Sequence, residues 1–418
     1  MNRREFLGLA GTALAATAAN GAPSTAQDGA SKGPPFFRAR PHLQLLGEDS
    51  FGVVWMTACP ATGWIEWSQD GGAKWTRTWT ETDGLRDANA TVHRAIVDSG
   101  YDPRKPLVYR VHSRAIADFG GYNVKFAADD AVLENAMDAT VRPDGSVSFL
   151  MLNDVHERME NYPALMRHVK DPVSFTVFNG DILNSTNSEE QIVARLLTPM
   201  ADVCEQTRAP CWYLRGNHET RGGFARHLRD YLALQGGHFY GAATMGPARI
   251  AFIDSGEDKA DDNAAYSGLV DFDHYLDVQH RFFEREFASA AWKNAGVRIV
   301  FSHIPPWFPY ANNEKKWWRN TRAPRLDRFL DFLNGANVTL MIVAHIHNCT
   351  YGDPYYTRRR YPELRNYPIV AGGGPLLNDK TPAFRPTVGR FTAKGRSVDV
   401  KFVNAAGETV LDRRYTAS

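Results

Sequence analysis

Cysteine is scarce in this chain: Cys59, Cys204, Cys211 and Cys349 are the four in 418 residues. They are too few and too far apart for a disulfide-built scaffold or a pair of CxxC zinc sites, so the fold must rest on apolar cores. Cys204 and Cys211 flank a helix-to-strand turn, where two buried thiols or a bridge both fit the spacing. An excess of one charge is lacking too. The 48 Lys plus Arg nearly cancel the 47 Asp plus Glu, leaving +1, which excludes the broad basic field of a nucleic-acid or anionic-membrane binder. No stable nucleic-acid complex is expected, and any attraction for phosphate must be local. No uninterrupted apolar run reaches the ~20 residues of a membrane-spanning helix, so the mature protein is expected to have no membrane span. No repeat recurs at the ~20–50-residue periods of solenoids.

What is present begins with Arg3 and Arg4, then Glu5, Phe6, Leu7, Gly8 and an Ala-rich apolar stretch to about Ala19. This resembles a twin-arginine export signal, with small residues at Ala16, Ala18, Ser24 and Ala26 that suit cleavage. The resemblance implies a signal over residues 1–26, a Gly/Ser/Pro-rich linker over 27–35, and a periplasmic or secreted protein exported already folded. With 43% hydrophobic and 12% aromatic residues, the remainder can bury more than one core, and two domains are expected.

Residues 36–135 carry short alternating runs, among them SFGVVWMT, GWIEWS, TVHRAIVDS, LVYRVHS and YNVKFA, separated by Gly, Asp, Asn and Pro. Such period-2 strands predict an antiparallel sandwich. From residue 146 to 418 strands alternate with segments whose apolar residues recur at three and four, such as EEQIVARLLTPMADVCEQ and LDVQHRFFEREFASAAWK. That alternation predicts a layered α/β domain, closed by hairpin-like strands in GRFTAKG, SVDVKFVN and GETVLDRRY.

Within it, FLMLND, FTVFNGD, CWYLRGNH, RIVFSH and LMIVAHIH each read as a buried strand running into a polar tip. Open α/β sheets place their chemistry at the carboxyl ends of strands, so five tips from one sheet can converge. The tips hold Asp154, His156, Asp181, Asn217, His303, His345 and His347. Carboxylate, carboxamide and imidazole without thiolate is the donor set that hard and borderline dications prefer in hydrolytic sites. Asp181 follows Gly180, which lets the backbone approach closely, and its carboxylate can bridge two ions.

These blocks, Asp154-Val155-His156, Gly180-Asp181, Gly216-Asn217-His218-Glu219, His303 and Ala344-His345-Ile346-His347, resemble the calcineurin-like metallophosphoesterase superfamily, which includes purple acid phosphatases. The resemblance implies a metallophosphoesterase sandwich domain preceded by an all-β, fibronectin-III-like sandwich domain. The latter rests on Arg40-Pro41-His42-Leu43-Gln44 and Leu107-Val108-Tyr109-Arg110-Val111. It implies two divalent or mixed-valence ions, Mn, Fe or Zn. One takes Asp154, His156, Asp181 and His347; the other takes Asp181, Asn217, His303 and His345. His218 then protonates the leaving oxygen or holds the phosphoryl group. The implied activity is hydrolysis of a small-molecule phosphomonoester or phosphodiester by a metal-bridging hydroxide attacking in line. The rival reading, a catalytically silent scaffold of the same fold, is disfavoured by the intact ligand set and His218.

Two departures qualify the resemblance. Purple acid phosphatases carry a tyrosine three residues after the bridging aspartate and lack the first-block histidine; here Asn184 and His156 stand instead, so a ferric tyrosinate is not expected. Ala344 replaces the usual glycine. Trp307, Tyr310, Trp317 and Trp318, with Lys315, Lys316, Arg319 and Arg322, come after His303 and suit either a rim that grips substrate or packing against the sandwich; as a rim they favour a diester. Arg358, Arg359 and Arg360 read as a solvated loop, and Asn348, Cys349 and Tyr351 as support for the last turn.

Overall fold

Eighteen residues, Phe51–Ser68, form the strand that organises the N-terminal region of this computed structural model, which describes residues 36–127, 130–306, 326–353, 366–375 and 385–418. Its first half pairs antiparallel with strands Phe37–Leu45 and Ala90–Val97. Its second half pairs with Thr76–Trp79 and Leu107–Phe119. The changeover falls at a register shift between Met56 and Ala61. Pro60 lies in that interval and has no N–H to give a ladder, so the strand bends there and serves both layers of a β sandwich. Burial alternates along Leu107–Ser113 as the period-2 pattern predicts. Inside, Trp55 stacks on His93 at 5.3 Å and donates through Nε1 to Ser113 Oγ at 2.8 Å.

The sandwich is continuous with the α/β region. Gln44 pairs in parallel register with Cys211, so the sandwich strands extend a sheet in which Val147–Leu152, Phe175–Asn179 and Cys211–Leu214 run parallel side by side. Its far edge is the antiparallel series Thr387–Lys394, Ser397–Asn404 and Thr409–Thr416, turned at Gly395 (φ 55°) and Gly407 (φ 83°). Residues Pro35–Ser418 form one compact unit.

A second sheet contains Ala248–Ile253, Val297–Ser302, Leu340–Val343 and Ile369–Ala371 in parallel, edged by Gly241–Met245 and Thr350–Gly352. The two sheets meet through aromatic rings: Trp212 stacks on Phe252 at 4.1 Å, and Phe149 lies 6.0 Å from Phe301. Their apolar faces are thereby buried against each other. Helix Phe272–Ala288 covers the second sheet, burying Phe272, Leu276, Gln279, Phe283 and Phe287 at three- and four-residue spacing. Asp271 caps it, its side chain accepting from His274 N. Helix Thr198–Thr207 covers the first sheet with Met200, Val203 and Cys204, and ends at left-handed Arg208.

One expectation is corrected. The five polar tips do not belong to one sheet: strands ending at Leu152, Asn179 and Leu214 lie in the first, those ending at Ser302 and Val343 in the second. A strand buried on both faces has the same apolar run in either sheet, so the run cannot tell them apart. Cys204 and Cys211 are both buried and free. Among the described residues no helix is long and apolar enough to cross a membrane.

Candidate metal centre

The strand tips turn sharply. Asp154, His156, Asp181, His345 and His347 all have positive φ, at 47°, 49°, 52°, 66° and 52°. For residues other than glycine this region costs on the order of 1 kcal/mol or more each, and such strain clusters where a site demands it. The turns interlock through backbone bonds: Asp154 N donates to Gly180 O at 3.0 Å, His156 N to Asp181 O at 2.9 Å, and Ala344 N to His303 O at 2.9 Å.

All seven predicted ligand residues, and His218 with them, come together. Asp154, His156, Asp181 and His347 bring donor atoms within 4.8 Å of one another, and Asp181, His303 and His345 do the same. Asp181 belongs to both groups. Its Oδ2 lies 3.1 Å from His303 Nε2, 3.7 Å from His156 Nε2 and 3.9 Å from His218 Nε2. Asn217 joins the second group, with Oδ1 3.1 Å from His345 Nδ1.

Hydrogen bonds on the far side of the rings set which nitrogen faces inward. His303 Nδ1 donates to Asn179 O at 2.8 Å and His347 Nδ1 to Pro375 O at 2.7 Å. His156 Nδ1 lies 3.1 Å from Asn184 Oδ1. Each outer bond leaves an Nε2 lone pair for the centre, the arrangement that orients imidazole ligands. Consequently His156 Nε2 and His347 Nε2 face each other at 3.1 Å, an approach of two inward nitrogens that a shared cation would satisfy. Buried Asp154 Oδ1 has no hydrogen-bond partner, and buried His303 Nε2 faces the Asp181 carboxylate at 3.1 Å. Burying such atoms without compensation is costly. Oxygen and imidazole donors left aimed at one place therefore fit a pair of cations bridged by Asp181.

Charge obeys the same geometry. Burial pushes the Asp181 carboxyl up, but the imidazoles of His303, His218 and His156 outweigh it and hold it below the usual carboxylate range. Burial lowers His303, yet Asp181 beside it raises the ring to about 10, so without cations its Nε2 would carry a proton, which a bound metal ion would displace. Burial, with His303 nearby, lowers His345 to about 4.

Several supports have roles that the sequence does not assign. Glu219, fully buried, accepts from Asp181 N at 2.9 Å, Leu183 N at 2.8 Å and Gly216 N at 2.9 Å, tying the second and third tips together. Burial and then Asp181 raise its carboxyl to about 7. Asn153 Nδ2 donates to Asp154 Oδ2 at 2.6 Å, and His345 N donates to the same oxygen at 3.0 Å. Asn184 orients His156 through its side chain and takes His218 Nδ1 on its carbonyl at 2.8 Å. Gly374 packs where a Cβ would come within 2.7 Å of Asp154 Cβ. The apolar strand that precedes a tip is visible in sequence; a turn that returns from a distant segment is not.

Other expectations fall elsewhere. Cys349 is buried behind the last turn, whereas Tyr351 is exposed, with the Arg413 guanidinium 3.5 Å from its ring centre. Residues 1–35, including the signal and linker, lie outside the described residues, as do Trp307, Tyr310, Lys315, Lys316, Trp317, Trp318, Arg319, Arg322, Arg358, Arg359 and Arg360.

A mixed α/β sandwich with Asp, Asn and His gathered at its strand tips defines a metallophosphoesterase fold. Residues 147–349 match the family model of the calcineurin-like phosphoesterases, and the chain carries a domain of that family. Among solved structures, purple acid phosphatase PPD1 from yellow lupin (Lupinus luteus) seeds is similar with a TM-score of 0.62 at 13% identity, covering 90% of this chain and 74% of that one. PhoD is similar with a TM-score of 0.58 at 12% identity, covering 93% and 90%. At these identities the likeness speaks for the fold. No curated protein sequence matches the chain.

Proposed function

We propose that the protein is an exported, dinuclear-metal hydrolase of small-molecule phosphomonoesters or phosphodiesters. The observation that carries this reading is that two donor groups meet at one carboxylate, Asp181. Asp154, His156, Asp181 and His347 would hold one cation, and Asp181, Asn217, His303 and His345 the other. Bound there, two cations supply a nucleophile at neutral pH and positive charge against the phosphoryl oxygens. Manganese, iron and zinc all suit these donors.

The chain's own part is positioning and proton handling. His218 N donates to Asp181 Oδ1 at 2.9 Å, and its Nδ1 bond to Asn184 O leaves Nε2 directed toward the centre, 3.9 Å from Asp181 Oδ2. When protonated there, Nε2 can give its proton to a departing alkoxide. No serine or cysteine nucleophile is needed, since phosphoryl transfer depends mainly on positioning and charge.

Metal analysis of the purified protein, with hydrolysis of chromogenic mono- and diesters in added manganese, iron or zinc, tests the reading. Two metals per chain and turnover are expected; two metals without turnover of either ester class would contradict it. Export rests on Arg3 and Arg4 and the Ala-rich stretch behind them. Replacing both arginines with lysine should leave uncut protein in the cytoplasm, and unchanged periplasmic delivery would rule the signal out.

A further inference from the structure

Beside the metal centre stands a cation that neither donor group uses. Arg221 packs its Nε and Nη2 edge on Glu257, with Nε to Oε1 at 2.7 Å and Nη2 to Oε2 at 3.0 Å. Glu257 is itself buried and further fixed by Thr220 Oγ1 at 3.0 Å and Asp258 N at 3.3 Å. The remaining corner, Nη1, lies 3.2 Å from His218 Nε2. That nitrogen in turn sits 3.9 Å from Asp181 Oδ2. The side chains of Arg221 and His218 keep 32% and 28% of their surface exposed, so a ligand can reach this corner.

We propose that Arg221 is a substrate-binding residue that takes a non-bridging phosphoryl oxygen through Nη1. This rests on the phosphoesterase reading of the same centre. The guanidinium is planar and carries five donors; Glu257 consumes one edge in bidentate fashion and thereby fixes the direction of the opposite corner. Nη1 carries two hydrogens: one can reach an incoming oxygen, while the other bonds His218 Nε2 only as long as that nitrogen is unprotonated. A phosphoryl group held against Asp181's cations would present its outward oxygen to this corner, while its leaving oxygen lies by His218. Because the buried carboxylate holds the guanidinium before the ligand arrives, little ordering cost is left to binding. A structural ion pair alone would account for the Glu257 edge but not for the Nη1 corner directed at His218. Lysine cannot reproduce this, since it offers a point charge without the two-edged fork.

The test is calorimetric titration of inorganic phosphate into manganese-loaded protein, alongside ester hydrolysis. Arg221→Ala should weaken phosphate binding about 10- to 100-fold, the range of one charge-assisted hydrogen bond, and raise KM more than it lowers kcat, with two metals retained. Arg221→Lys should recover little, and added guanidinium should partly rescue Arg221→Ala. Wild-type phosphate affinity in either variant would overturn the proposal while leaving the phosphoesterase reading intact. Arg221-dependent phosphate binding in a protein that hydrolyses no ester would uphold the site and overturn the phosphoesterase reading alone. Should Arg221→Ala lose metal, Arg221→Lys decides, because it keeps the positive charge and most of the bulk. A wild-type protein that hydrolyses esters but binds no phosphate would overturn the proposal alone, and one that does neither would refute both.

Discussion

Gly216 stands where the third strand tip passes the second, and the space beside it is closed. A Cβ built there would lie 2.3 Å from both Asp181 N and Asp181 Oδ1, and 2.9 Å from Glu219 Oε2. Relieving such overlaps needs a movement on the order of 1 Å, given carbon contact distances of about 3.5 Å. Neither neighbour can yield freely, because Glu219 holds three backbone N–H groups and Asp181 belongs to both donor groups. Gly216→Ala should therefore destabilise the metal-free protein by about 1–3 kcal/mol, the usual cost of overpacking. It should also lower metal affinity about 10- to 100-fold, as disturbed supports of ligands do. Gly223→Ala is the control: a Cβ at that position meets nothing within 4 Å, and both quantities should stay at wild-type values. Urea unfolding of metal-free protein and metal titration read the two effects. If Gly216→Ala matches Gly223→Ala in both, the interlocked packing at Asp181 does not control the site.

Other perturbations act on single side chains. His218→Ala should keep both metals and lose about 10²–10⁴ in turnover, as removal of a proton donor does; unchanged turnover would remove His218 from the chemistry. His42 and His93 are almost fully buried, and burial lowers both to about 4. Between the unfolded value near 6.5 and pH 4 the unfolded chain binds protons that the folded chain refuses, so stability falls as pH drops through that window. The loss is roughly 3 kcal/mol for each ring by pH 4. His93→Phe should flatten the pH dependence of urea unfolding of metal-free protein by about one such step; the same slope in variant and wild type would show that His93 protonates as readily when folded.

The residues that meet were readable because chemistry constrains them. Rare polar groups such as Asp154, Asp181 and His303 close apolar runs, and few purposes require that at five strand ends. The sandwich was readable from its period-2 runs. The sheet to which each tip belongs was hidden, since VSFLML and VRIVFS are equally buried on both faces. Hidden too was the left-handed backbone at five ligand positions, which histidine and aspartate do not announce as glycine would. Glu219 stands in the same motif as Asn217 and His218, but only distances show that it holds the turns of Asp181 and Leu183. The bonds from Asn184 to His156 and His218, and from Glu257 to Arg221, span up to 36 residues. No local pattern encodes such separations.

Metal counts in three variants test the shared carboxylate most directly. Asp181→Ala, His347→Ala and His345→Ala would each be reconstituted with manganese under the same conditions and measured by elemental analysis after removal of free ion. Because Asp181 stands in both donor groups and each histidine in one, Asp181→Ala should fall from two metals per chain toward none, and each histidine variant to about one. Two metals retained in Asp181→Ala would contradict a centre joined through that residue.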